Sequence, residues 1–335
     1  MIRVQKDRIQ FDDYTLYATP TGFSFDGRIV ASNFINLFQG TISGYASSGY
    51  NGGALATIDK FPFATDANAT PVGNLSQARF FGASQSSKTH GYHSAGYNGS
   101  NVNTIDRFPF AVDANATDIS DTTTSVRSHS GQSSTTHGYS SGGLTSVDSN
   151  VIDKFPFSVN QNATDVGDLT QARFGVAGHN SSVSGYVSGG LTYPPYTSRD
   201  TIDKFPFATD TNAVDVGNLS QARYYPGGVS SATNGYTVGG NLFNGTPPSA
   251  SVNIIDKWPF AADTNATSIG TLSLQRSGLA GSSSTTNGYS TGGHYVPSWP
   301  GGYSNVIDKF PFFTDANATD IGDLTQARQS VGHQV

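Results

Sequence analysis

The chain has 335 residues, a net charge of −6 and a pI near 5.5, a balance that argues against a general nucleic-acid binder. It contains no Cys, which excludes disulfides, a thiol nucleophile and thiolate metal sites. All 24 acidic residues are Asp, a turn and cap former, and with 39 Gly, 21 Phe and 16 Tyr this is the composition of short strands joined by many turns, not of helices or a disordered chain.

Residues 1–40 do not repeat. Arg3, Lys6, Asp7 and Arg8 come after Met1 with no apolar signal-peptide core, and no apolar run is long enough to span a bilayer. The expectation is a chain made in the cytoplasm without a signal peptide and without membrane insertion. "IQFDDYTLYATPTGFSFDGRIVAS" has short alternating runs separated by Pro20, Gly22 and Asp26-Gly27. This predicts a small β-rich module, used for attachment or oligomerisation or as a strand pair capping the remainder of the chain. "NFINLF", residues 33–38, is an apolar stretch that needs cover.

From residue 41 onward one phrase recurs. "IDKFPFFTDANATDIGDLTQAR" starts at Ile307, and near-copies start at Ile58, Ile105, Ile152, Ile202 and Ile255, at intervals of 47, 47, 50, 53 and 52 residues. Such periods point to propellers or solenoids. Each unit runs in the same order: a Gly-Tyr segment, a variable stretch, "IDKFPF", "TDANAT", then "VGDLTQAR". The His-Gly before Tyr92 and Tyr139 and the Asn-Gly before Tyr236 and Tyr289 read as the tight turn of a hairpin. "IDKFPF" alternates with period two and carries a Pro suited to an edge or a strand end. "TDANAT" reads as an Asx-rich turn leading to a fourth strand. Four strands in each of six units predict an all-β chain, a six-bladed β-propeller over residues 41–335 behind the β-rich module of residues 1–40. Gly44-Tyr45 lacks a preceding "QAR", so the strand after Arg328 is expected to complete the blade begun there and close the ring.

The unit resembles kelch repeats, which implies four-stranded kelch-like blades. The family's paired glycines match Gly52-Gly53, Gly142-Gly143, Gly189-Gly190, Gly239-Gly240 and Gly292-Gly293, with Ala95-Gly96 in the second unit. Its Tyr-Asp position looks like the Ile-Asp of Asp59, Asp106, Asp153, Asp203, Asp256 and Asp308. Its Leu…Arg element looks like Leu75…Arg79, Leu169…Arg173, Leu219…Arg223, Leu272…Arg276 and Leu324…Arg328; the second unit has Arg127 but no Leu. The family's fourth-strand Trp is missing, and Phe61, Phe63 and their equivalents are candidates for that volume. Copper oxidases with kelch-type propellers use a cysteine-modified tyrosine, which a chain without Cys cannot form. "KDRIQFDDYTL", "TGFSFDG" and repeats of the "IDKFPF…ATDVG" type are similar to structural proteins of marine bacteriophages, cyanophages in particular. That resemblance implies a virion protein of fibre, appendage or tail type. Its partners would be other virion proteins through the N-terminal module and a host-surface polysaccharide or receptor, with a homo-oligomer compatible.

No enzyme motif is present: there is no P-loop, GxSxG or HExxH. An enzyme cutting polysaccharide would need two Asp to converge, and loop residues such as Asp148 and Asp200 are the material for it. His90 and His93 read as hairpin and surface residues rather than metal ligands. Asp66, Asn68 and Thr70, like Asp315, Asn317 and Thr319, alternate as calcium ligands do, but turn chemistry accounts for them and the loop's terminal Glu is absent. No cofactor and no metal are therefore expected. Two sets of basic residues recur, Arg79, Arg127, Arg173, Arg223, Arg276 and Arg328 at the end of each unit ("QAR" in four of them, "SVR" at Arg127 and "LQR" at Arg276), and Lys60, Arg107, Lys154, Lys204, Lys257 and Lys309 after "ID". The arginines are candidates for a ring binding acidic sugars or phosphates, or for bridges between blades to the "ID" aspartates; recurrence in every unit favours the bridge. The variable inserts, residues 54–57, 97–104, 144–151, 191–201, 241–254 and 294–306, have 4, 8, 8, 11, 14 and 13 residues. In a propeller they share one face. Tyr193, Tyr196, Phe243, Tyr295, Trp299 and Tyr303, on the longest three, are the binding candidates. The expected role is a non-enzymatic virion protein presenting a propeller face to a host glycan or receptor. The alternative is a purely structural virion component.

Overall fold

In the computed structural model, residues 40–243, 250–295 and 302–335 are described in full, and four backbone strands are described among the first 39. Those four, Arg3–Val4, Arg8–Gln10, Thr15–Thr19 and Gly22–Phe25, form an antiparallel meander in a unit that ends at Asn36. The apolar stretch 33–38 lies outside the described residues.

The second unit, Leu37–Val335, holds six four-stranded antiparallel sheets arranged as the blades of a β-propeller. Blade 2 shows the pattern, with inner strand Ala83–Ser86, second strand His90–Tyr97, third strand Asn101–Pro109 and outer strand Thr117–Asp121. Blades 3 to 6 begin at Ser130, Ala177, Gly227 and Ala280. Blade 1 takes its second, third and outer strands from Ser43–Tyr50, Ala54–Pro62 and Thr70–Asn74. Its inner strand is Gly332–Gln334, pairing Gly332 with Ser47 and Gln334 with Tyr45, so the ring is closed by the two ends of the repeat region.

The core lies between blades, which explains why both faces of the third strand are enclosed. Tyr45, Ile58 and Leu75 of blade 1 pack on Phe108 and Ala116 of blade 2, and the other junctions repeat this set with small variations. The second Phe of each "FPF" stacks on the Tyr of the preceding blade, as Phe110 does on Tyr45 at 4.9 Å and 22°. The Pro ends the third strand. The Gly-Tyr glycine plays a different part from the one the sequence suggests. The hairpin turn lies just before it, at Ser134–Thr136 in blade 3, where Ser134 Oγ accepts from the His137 amide at 3.0 Å. Gly138 is already in the second strand, and a Cβ there would meet the Phe155 ring at 2.3 Å. A flat aromatic needs that space.

At the axis the inner strands approach so closely that side chains almost vanish. Ser84, Gly131, Gly178, Gly228 and Gly281 succeed one another, with His333 as the sixth. A Cβ on Gly178 would lie 2.2 Å from the Gly131 carbonyl. Further along the inner strands a relay of bonds links blades: the amides of Val335, Ser86, Ser133, Asn180 and Ser230 donate in turn to the side-chain oxygens of Ser86, Ser133, Asn180, Ser230 and Ser283.

Candidate functional site

The repeated ionisable residues join blades. Arg79, Arg173, Arg223, Arg276 and Arg328 are fully buried and pair with Asp106, Asp203, Asp256, Asp308 and Asp59 of the following blade at 2.9–3.1 Å. Each also donates to a second-strand carbonyl of that blade, His93, Val187, Thr237, Ser290 and Ala46, at 3.0–3.2 Å. They do not form a ligand-facing ring, because none reaches the surface. Arg127 is not the sixth member. Alignment on the inner strands places Val126 where the others have Arg and Arg127 one residue later. Arg127 lies over the Tyr97 ring at 4.7 Å and donates to Asn101 at 3.2 Å. Asp153, left without a guanidinium, is held by the Thr123 amide and hydroxyl at 2.9 and 2.7 Å, and burial raises its pKa.

The outer rim repeats the theme. Lys60, Lys154, Lys204 and Lys257 pair with Asp113, Asp210, Asp263 and Asp315 of the next blade at 2.6–3.1 Å, and Lys309 pairs with Asp66. In the remaining junction both partners change: Arg107 donates to Asn160 at 3.1 Å. The Asn two residues after each such Asp or Asn caps an outer strand of the preceding blade, as Asn68 does for the Asp323 amide at 3.0 Å. "DAN" is therefore a clamp between blades. Asp66 and Asn68 face different partners and do not converge. Among the described residues no group of three or more His or Asp is placed to hold a metal ion. His93 is buried against Ser47 Oγ at 3.1 Å, which corrects its reading as a surface residue, whereas His90 bonds Thr89 at 2.8 Å in a part-exposed hairpin.

The variable inserts project from one end of the ring, the longest three as hairpins. Leu191 pairs with Ser198, Asn241 with Ser251 and His294 with Tyr303. The first two inserts extend the second and third strands, pairing Tyr50 with Ala54 and Tyr97 with Asn101. The Asp, Lys and Arg residues of all six inserts are Asp148, Arg199 and Asp200. Asp148 accepts from the Tyr193 amide at 2.6 Å, and Arg199 donates to Thr192 at 3.0 Å. The face is thus nearly uncharged.

Of the aromatic candidates, Tyr193 and Tyr196 are half exposed with ring centroids 4.4 Å apart, and half-buried Phe243 lies 5.7 Å from Tyr196. Tyr303 is exposed and meets Tyr50 edge-on at 6.0 Å. Tyr295 is half-buried, and Trp299 lies outside the described residues. The structure adds rings that sequence reasoning missed. Tyr50 contacts Phe80 at 4.8 Å, Phe80 contacts Phe81 at 4.9 Å, Phe81 stacks on Tyr225 at 5.2 Å and 19°, and Tyr225 contacts Tyr224 at 5.3 Å. These rings cross the mouth of the central channel from blade 1 to blade 5. Burial pushes the Tyr225 pKa up to about 12. The signal available was an aromatic directly after "QAR", at Phe80, Phe174 and Tyr224.

Six residues ring this mouth: Phe81, Ser128, Gly175, Tyr225, Gly278 and Ser330. Each donates its amide to the carbonyl of its counterpart in the preceding blade, a closed circle of six bonds of 2.5–3.4 Å. The circle holds all six in the left-handed region, with φ between 52° and 63°. Below it lies a cavity of about 70 Å³ that His129 also lines.

Residues 37–335 form a six-bladed β-propeller, and among the described residues the exposed tyrosines, Tyr193, Tyr196 and Tyr303, lie on its insert face. No family model matches the chain, and no curated protein matches it.

Proposed function

We propose that this is the recognition module of a non-enzymatic bacteriophage particle protein, of fibre, appendage or tail type, which presents its insert face to a glycan on the host surface. One observation carries the reading: the repeated ionisable residues are engaged between blades, while the residues that vary gather on one face that is aromatic and almost without charge. Such a face suits a neutral, polyhydroxylated ligand, which offers apolar C–H surfaces to rings and hydroxyls to Asn, Ser and Thr. The particle assignment rests on the resemblance of the first forty residues and of the repeat to phage structural proteins, and the N-terminal module is proposed to bind other virion proteins.

A second reading, a purely structural virion component, draws support from the opposite end of the ring. Ile42 and Phe313 there are 76% and 82% exposed, apolar surface of the kind that protein contacts cover. Binding of the purified chain to host cells and their extracted polysaccharides decides between the two. Saturable binding that falls with Tyr196→Ala, at unchanged thermal stability, supports recognition on the insert face. Binding to particle proteins that is lost with Phe313→Asp, with no glycan bound, supports the structural role.

A further inference from the structure

The circle of left-handed residues at the channel mouth is filled unevenly. Gly175 and Gly278 adopt that backbone freely, and Ser128 and Ser330 are small. Phe81 and Tyr225 are bulky, and bulky residues rarely adopt a positive φ. The position could hold Gly, as it does in blades 4 and 6, so packing of the ring does not require aromatics there. Both belong to opposite blades, 2 and 5, and their rings meet face to face over the axis. Bulky residues kept in this backbone, where blades 4 and 6 hold Gly, point to a use.

The surroundings indicate the ligand. Tyr50 and Phe80 continue the aromatic surface on one side and Tyr224 on the other. Hydroxyl groups lie among them: Tyr225 Oη and Ser128 Oγ are 3.1 Å apart, and Ser330 Oγ, on a residue 6% exposed, lines the cavity beneath without a hydrogen-bond partner. The guanidinium of Arg127, beside Ser128, is engaged over Tyr97. Among the described residues no carboxylate, ammonium or guanidinium lines the mouth, and burial keeps His129 neutral, its pKa lowered to about 3.

We propose that Phe81 and Tyr225 form a subsite for an uncharged sugar residue at the channel mouth, the anchor point of a neutral glycan that continues along the aromatic seam. This rests on the glycan-recognition reading above and adds where the chain is held and that it is neutral. The test compares the full chain with Phe81→Gly, Tyr225→Gly and Tyr196→Ala, measuring thermal midpoints and calorimetric binding to mannan, dextran, a galactan, polygalacturonate and polysaccharide extracted from host cells. Glycine suits the left-handed backbone, so each mouth variant is expected to unfold at or above the wild-type temperature while its affinity for a neutral glycan falls about tenfold. Mouth variants that bind as the wild type, beside a weakened Tyr196→Ala, overturn the subsite and leave the glycan reading intact. Mouth variants that unfold earlier and bind normally make the pair a packing plug and overturn it too. Preference for polygalacturonate overturns neutrality, and a wild type that binds none of the polysaccharides overturns both proposals.

Discussion

Replacing Arg223 by Val tests what holds neighbouring blades together. The guanidinium lies 2.9 Å from Asp256, both side chains are fully enclosed, and a second nitrogen donates to the Thr237 carbonyl at 3.0 Å. Without it, Asp256 is a buried anion held only by the Ser220 amide and hydroxyl, at 2.9 and 2.6 Å. Breaking such a pair from one side costs about 3–5 kcal/mol, because the remaining charge stays desolvated. In a domain of this size each kcal/mol moves the thermal midpoint by about 2 °C, so Arg223→Val is expected to lower it by about 6 °C or more. Adding Asp256→Asn removes the stranded charge while the amide oxygen still accepts from Ser220, and the double variant recovers most of the loss. The molecule supplies its own control. Val126 already stands in the arginine position between blades 2 and 3, so Asp153→Asn breaks no ion pair and costs about 1 kcal/mol or less. Thermal and urea unfolding, measured by circular dichroism and tryptophan fluorescence, compares Arg223→Val, the double variant, Asp256→Asn alone and Asp153→Asn. Equal losses for Asp153→Asn and for Asp256→Asn alone would refute the reasoning, since burial and not the ion pair would then set the cost.

Gly178→Ala is expected to lose about 3 kcal/mol or more, or to fail to fold, because the new methyl would sit 2.2 Å from a neighbouring carbonyl. Gly53→Ala, in a hairpin tip with nothing within 4 Å, is expected to match the wild type; comparable thermal midpoints for the two would contradict the close approach at the axis. Acid sensitivity is expected from the buried histidines: burial lowers His129 and His179 from 6.5 to about 3, lowers His333 likewise to about 3 and depresses His93 as well. The folded state binds fewer protons than the unfolded one below pH 6.5, so this stability is complete above that pH and is lost toward pH 3, at about 1.4 kcal/mol per pH unit for each ring. Denaturant midpoints between pH 7.5 and 4.5 record it, and an unchanged slope in His179→Gln would exclude that ring's share.

The blades were legible because their signals are local and repeated six times: a two-residue period, an Asx turn, a Pro at a strand end. Partners across blades were partly legible, since a residue recurring in every unit must meet something that also recurs; the arginines and the "ID" aspartates are such a pair. What failed was register. Arg127, the last residue of "SVR", looks like the counterpart of the "QAR" arginines, yet one residue of slippage takes it out of the buried set and makes Val126 the true counterpart. Phe81 and Tyr225 stand at the same place in their units, second after "QAR", but they are 144 positions apart, and only the closed ring brings them together. Tyr196 and the other insert aromatics were read from the sequence as binding candidates, but the seam at the mouth is built from residues that neighbour the repeat rather than the inserts.

Genes made of tandem repeats readily gain or lose copies, and the axis of this ring bears on whether such changes could survive. A seventh unit would widen the circumference and open the circle of amide bonds at the mouth. A five-unit ring would press the inner strands together, although Gly131, Gly178, Gly228 and Gly281 have no side-chain atom left to give up. The copy number is therefore set at the centre. The inserts face no such limit, and they already range from 4 to 14 residues around one ring. Differences in length are accommodated outward, at the rim, where one insert can exceed another without disturbing the ring that carries it.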